Sequence, residues 1–262
     1  MEIVMNEHEW AEGMIASHSL GKRPYETLRR VARYYLDQAY TKNGARKMLE
    51  TFLLQCDPSA SVPKWSDTID GALERASKYK AVEIDCIRIT KEELKRIEAL
   101  GKRQLQRLAF TLLCLAKYWM EVNPKCNWWV TNKDSDIMKA ANINTSIRRQ
   151  SLLYSQLRDA GMIEFSRKVD NTNVRVCFAE EGDTAIEISD FRNLGYQYLF
   201  YTGSNDYIKC ERCGIVVRKN RPTPQDKPGH RGRAQQYCKS CAEPGYARDL
   251  SVRKGNNSIC VS

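Results

Sequence analysis

Two short cysteine pairs, Cys210-Glu-Arg-Cys213 and Cys238-Lys-Ser-Cys241, carry the clearest chemical signal in the chain. Each pair brings two thiolates onto one tight turn, and two such turns supply four sulfurs at the corners of a tetrahedron, the arrangement that structural zinc prefers. The 24 residues between the pairs, 214–237, suffice for a two-strand ribbon with a long loop. The expectation is a zinc ribbon holding one structural Zn2+ on Cys210, Cys213, Cys238 and Cys241. Gly214 follows the first pair, where the backbone must bend toward the sulfurs and a residue without Cβ turns most cheaply. Ile215, Val216 and Val217 read as a strand leaving that turn, and Tyr237 is placed to pack under the second pair. A lone CxxC would equally suit a redox dithiol. The second pair, in a chain without a thioredoxin-like βαβ pattern, favours metal. His230, in the loop, is read as solvated because four sulfurs already close the site.

The charge around these cysteines points to a partner. The chain has a formal net charge of +10 and a pI near 9.1, and Lys209 to Lys254 alone holds 12 Lys and Arg against 4 Asp and Glu. Four thiolates on one Zn2+ would offset about two of those positive charges. The stretch from Arg218 to Arg233, with three prolines and two glycines, is expected to stay extended and wet. Arg218, Lys219, Arg221, Arg231 and Arg233 are therefore candidates for contact with a phosphate backbone, each contact releasing condensed counterions.

Upstream, the pattern predicts elements that could present a second set of contacts. Arg103 to Met120 has apolar residues at helical spacing and ends at Asn123-Pro124; a second helix covers about 133–141, Asn142-Ile-Asn144 forms a tight turn, and a third helix runs from Thr145 to Ala160. Gly161 suits a left-handed cap. Ile163 and Phe165, then Val174, Val176 and Phe178, alternate as two strands around Asp170-Asn-Thr-Asn173. On the third helix Ile147, Leu153, Tyr154, Leu157 and Ala160 share one arc and are expected inward, leaving Arg148, Ser151, Leu152, Ser155 and Gln156 outward with Arg149 at the border. Arg148 and Gln156 can bond base edges, Thr145 and Ser146 stand near the helix N-terminus, and Arg167, Lys168 and Arg175 decorate the hairpin. The stretch Thr131 to Phe178, with Leu157-Arg-Asp-Ala-Gly161-Met-Ile163 feeding a hairpin, resembles winged helix-turn-helix DNA-binding domains. That resemblance implies nucleic-acid binding, with DNA favoured over RNA. The Ala-Asn142-Ile-Asn144-Thr turn departs from the commoner glycine-containing form.

Residues 1–80 read as a helical module, with helices over Tyr25 to Tyr40, after Thr41-Lys-Asn-Gly44, and over Ser66 to Tyr79 capped by Ser66 or Asp67. Arg29, Arg30 and Arg33 are expected off its apolar face, as a solvated or nucleic-acid-facing side. The order Leu-Arg-Arg-Val-Ala-Arg-Tyr-Tyr, turn, helix ending in Asp-Pro, Trp65 and an Ile-Asp-x-Ala-Leu helix resembles a module found beside the catalytic part of plasmid and phage primases. Neither a primase catalytic motif nor a carboxylate pair, Ser/His set or phosphate-binding glycine loop is visible, so an enzyme is not expected. The combination resembles proteins of phages and mobile elements of Gram-positive bacteria, implying a role in replication, transcription control or host takeover.

The expected whole is mainly α with small β elements (α+β): a helical module over 1–80, a winged helix-turn-helix with a bridging segment over 81–205, a zinc ribbon over 206–246 and a flexible tail over 247–262. In the bridge, Ile186-Glu-Ile188 reads as a strand and Phe191, Leu194, Tyr198 and Leu199 as a packed helix; the tyrosines there are read as a wedge between domains rather than a base-stacking platform. The six unpaired cysteines are read mostly as core fillers of a cytoplasmic protein, with Cys260 an exposed tail thiol. No secretory signal or membrane span is expected. A host protein gripped by the ribbon and the winged domain is the second candidate partner.

Overall fold

The computed structural model describes residues 3–166, 173–220 and 235–242, which form two compact units, Glu2–Asp85 and the chain from Cys86 onward. The first unit is helical: α1 (Glu7–Ala16), α2 (Pro24–Asp37), α3 (Lys42–Cys56) and α4 (Val62–Ala76). Leu28, Val31, Leu49, Phe52, Leu53, Ile69 and Leu73 meet in its core. The Thr41 hydroxyl caps α3 by accepting from the Gly44 amide at 3.1 Å. The helix α4 begins earlier than the sequence suggests, because Pro63 fits the first turn, where a missing N–H costs nothing. Ser66, expected as its cap, instead accepts from Arg46 Nη2 at 2.8 Å and ties α3 to α4.

The arginine-rich face of α2 is corrected by this fold. Arg30 and Arg33 are only 6% and 3% exposed and converge on Glu7, itself 4% exposed at the start of α1. Arg30 also stacks over Trp10, 4.9 Å from the ring centroid, while Arg29 pairs with Glu26 on its own helix. Helical spacing places these arginines beside the apolar stripe, and long side chains there are drawn inward once a carboxylate from another helix waits for them. Burial lowers the Arg33 guanidinium, against the opposing charge of Glu7.

The second unit is built around α6. In chain order it has β1 (Ile87–Thr90), α5 (Lys91–Glu98), α6 (Arg103–Val122), a 3-10 turn at Pro124–Cys126, β2 (Trp129–Val130), α7 (Asp134–Ala140), α8 (Ile147–Asp159), β3 (Ile163–Phe165), β4 (Val174–Val176), β5 (Thr184–Ile188), α9 (Leu194–Tyr201), β6 (Tyr207–Lys209), β7 (Val216–Arg218) and α10 (Lys239–Ala242). Three small antiparallel sheets form: β1 with β5, β6 with β7, and a three-stranded sheet in the order β2-β4-β3. In the last, Val174 of β4 faces Val130 on one side and Phe165 on the other. Almost the whole of α6 from Leu108 to Ala116 is buried, as its continuous apolar run requires.

The third helix is shorter than expected, and two of its inward assignments are overturned. Ile147 is 81% exposed and Ala160 is exposed, while Leu153, Tyr154 and Leu157 are buried as expected. A helical wheel gives angle but not depth. Ile147 is the first residue of α8 and Ala160 its C-cap, so both point toward the core side beyond the span that the core covers. Gly161 has φ +69° and ends the helix as expected. Of the unpaired cysteines, Cys114 alone is fully buried among those described; Cys56, Cys86 and Cys126 are half-buried and Cys177 is exposed. Among the described residues no helix is long and apolar enough to cross a membrane.

Candidate functional site

The four-cysteine site is assembled by the β6–β7 hairpin and the α10 turn. β6 leads into Cys210, whose amide donates to Ile215 O at 2.9 Å, and the Gly214 amide closes the turn on Cys210 O at 2.9 Å with Gly214 at φ +73°. An L side chain is strained there, which is why this position suits glycine. Cys238 and Cys241 sit on one helical turn, with the Cys241 amide donating to Cys238 O at 3.1 Å. The two halves are joined independently of the sulfurs. The Glu211 amide donates to Gln236 O at 3.1 Å, Arg212 Nη1 donates to Cys241 O at 2.7 Å, and the Arg212 guanidinium lies 5.0 Å over the Tyr237 ring.

The four sulfurs lie within 4.8 Å of one another, and Cys213 Sγ is 3.7 Å from Cys238 Sγ. A tetrahedral ion with bonds of about 2.3 Å requires sulfurs about 3.8 Å apart, so the set can hold one metal ion. Three of the four cysteines are buried, and Ile215, Val217 and Tyr237 pack around them. Burial raises the Cys210 thiol, but amides of Cys238, Cys213 and Arg212 outweigh it and bring the group down to about 6. Cys241 goes the other way, pushed up to about 12 by burial and by the neighbouring sulfurs. His230 lies outside the described residues.

A second site lies on the outer face of α8. A groove of about 920 Å³ runs between that face and the start of α6, lined by Ser146, Arg148, Arg149, Ser151, Leu152, Leu153, Ser155 and Gln156 on one side and Lys102, Arg103 and Gln104 on the other. No carboxylate lines it, and its four cations have no ion-pair partner among the described residues. Six of the expected contact residues thus share one groove. Thr145 does not line it: its carbonyl accepts from Gln150 Nε2 at 2.9 Å, half-buried at the foot of the helix. Ser151 is partly engaged, its hydroxyl donating to Ile147 O at 3.1 Å.

The remaining expected contacts are scattered. Arg175, in the central strand β4, is ion-paired with Glu164 at 3.3 Å. Arg218 and Lys219 are exposed at the end of β7, away from the groove lining. Arg167, Lys168, Arg221, Arg231 and Arg233 lie outside the described residues. The tyrosines of the bridge are structural where they are buried: Tyr198 packs on Phe110 with ring centroids 5.3 Å apart and is pushed up to about 12 by burial, and Tyr196 meets Tyr207 at 5.0 Å.

The cations of the groove stand where helices usually place acids. Lys102 is the N-cap of α6 and Arg103 its first residue, while Arg148 and Arg149 lie in the first turn of α8; neither helix has an acidic residue in its first turn. In the same unit α5 opens on Glu92 and Glu93 and α7 on Asp134 and Asp136, whereas α9 and α10 have no acid in the first turn either. A cation against the positive end of a helix costs roughly 0.3–1 kcal/mol, and free amides there add to the field. Lys102, Arg103 and Gln104 escaped the sequence reading, although a helix start with two cations and no acid was a visible signal. The chain matches no protein-family model, no curated protein and no solved structure.

Proposed function

We propose that the unit from Cys86 onward is a winged helix-turn-helix that binds duplex DNA through the α6–α8 groove, and that its four cysteines hold one structural zinc ion. The observation that carries the reading is the groove itself: four cations without an ion-pair partner among the described residues, and two helix N-termini, converge on one concave surface whose lining has no carboxylate. That arrangement is locally unfavourable until an anion fills it, and a phosphate backbone supplies anions at regular spacing. The element order supports the winged reading, because helix, strand, helix, helix and two strands follow one another and the first strand pairs with the last. Four thiolates at tetrahedral spacing favour zinc, a borderline-soft ion without redox demands.

The test is duplex affinity against salt. Four phosphate contacts give a slope of about −3.6 in log K against log salt, or a loss on the order of 100-fold between 50 and 200 mM. A second reading, docking on a host protein, is favoured by one observation: Leu152 and Ile147 on α8 are apolar and exposed. A flat salt dependence, or no duplex binding at low salt, selects that reading over DNA.

A further inference from the structure

Of the two leucines that line the groove, Leu153 is buried and Leu152 is not. Leu152 is 54% exposed, yet it stands at the centre of the polar face of α8, three and four residues after Arg149 and Arg148 and three and four before Ser155 and Gln156. Neighbours at those spacings surround a helical residue on both sides, so any surface that meets the four polar groups also meets Leu152. An apolar side chain there has no use for a phosphate. Against a base edge it has one: the thymine 5-methyl group is the single apolar feature of the major groove, and it is absent from duplex RNA. A protein partner for Leu152 would have to bring acidic groups of its own to Arg148 and Arg149, whereas a duplex brings phosphates and the methyl group on one surface.

We propose that Leu152 packs on the thymine methyl group, so that the α8 groove selects thymine-containing DNA over the same duplex lacking that methyl. This rests on the duplex-binding reading above and adds the chemistry that the groove recognises. The arginines and the two helix ends hold the backbone, and Leu152 contributes a preference that salt does not screen.

The experiment compares the full chain on two 20-bp duplexes, alternating dA-dT and alternating dA-dU, which differ only in the methyl groups, by fluorescence anisotropy at two salt concentrations. The dA-dT duplex is expected to bind about four-fold more tightly per methyl covered. Leu152→Ala is expected to bring that ratio to about one, the readout being the ratio of the two affinities and not either affinity alone. Equal affinity of the unaltered chain for the two duplexes overturns the inference and leaves the duplex-binding reading standing, as does a ratio that survives in Leu152→Ala. Failure of the unaltered chain to bind either duplex at 50 mM salt overturns both. Because Leu152 is exposed, its replacement leaves the core intact, and circular dichroism of the variant confirms that its fold is retained.

Discussion

Gly195, in the first turn of α9, allows the closest backbone approach of any described glycine in the second unit. A Cβ at this position would stand 2.0 Å from Ala141 O, 2.5 Å from Ala141 C and 3.1 Å from its Cα, where real Cβ atoms essentially never come within 3.0 Å of another atom. The obstacle is backbone, which cannot rotate away, so Gly195→Ala must part α9 from the end of α7 by about 1 Å. Overpacking of this kind costs about 1–3 kcal/mol. The same shift strains the bonds that Asn142 makes to the Tyr196 amide, 3.1 Å, and to Asn193 Oδ1, 3.0 Å, each worth about 1 kcal/mol. The sum is about 3–5 kcal/mol, or roughly 10 °C in melting temperature for a unit of this size. Urea denaturation followed by fluorescence and calorimetry measures it. Gly13→Ala in α1, where a Cβ meets nothing within 4 Å, is the counterpart and is expected to stabilise by about 0.5–1 kcal/mol. A Gly195→Ala protein within about 1 kcal/mol of the unaltered one would refute the claim that this contact sets the packing of α9 on α7.

Other outcomes follow from the same structure. Cys210→Ser and Cys238→Ser should each lower bound metal well below one ion per chain, as counted by elemental mass spectrometry, whereas Cys177→Ser, exposed and outside the cluster, should leave it unchanged. Glu7→Gln keeps the shape of the side chain but strips the counter-charge from two buried guanidiniums, and should destabilise the first unit by about 3–5 kcal/mol in urea melts. Arg148→Ala should weaken duplex binding by about 1–3 kcal/mol if the side chain bonds a base edge, and reduce the salt slope by about 0.9 with a near-uniform loss across sequences if it bonds a phosphate.

How far the sequence led depends on whether each signal was local. Gly161 and Gly214 were legible because a left-handed turn depends on one residue and its immediate neighbours, and the cysteine spacing was legible for the same reason; the Thr41 cap was not read, and α3 starts at Lys42 rather than after Gly44. The element pair β1 and α5 was missed although Thr90 and Glu93 form a reciprocal capping box whose spacing is written in the chain. By contrast, α1 carries a charged residue, Glu7, at a buried position, and no periodicity marks such a helix. What buries Arg30 and Arg33 is that same Glu7, 23 and 26 residues away, so their fate was not encoded in the pattern of α2. The joining of the groove's two walls was hidden likewise, since Lys102 and Arg148 come to line one groove only after α6 and α8 pack.

A ribbon tethered by a linker would move freely, but the hairpin that carries Cys210 and Cys213 is held to α9 by contacts that need no metal. Arg192 Nη2 donates to Cys213 O at 2.7 Å, Asn193 Nδ2 donates to Val216 O at 3.1 Å, and Tyr196 packs on Tyr207. Through Gly195 and Asn142 the same helix abuts the turn that launches α8. Among the described residues, the turn carrying Cys238 and Cys241 is tied to the hairpin rather than to α9, by Arg212 to Cys241 O, Glu211 to Gln236 O and the Asn220 amide to Gln235 Oε1 at 2.7 Å. Metal removal should therefore act unevenly. Hydrogen exchange after chelation is expected to rise first in 235–242 while the amides of β6 and β7 keep their protection, and the groove on α8 retains its salt-dependent affinity. Simultaneous loss of protection in α9 and in 235–242 would instead mean that the ion, and not the Asn193 and Gly195 joint, holds the hairpin to the rest of the unit.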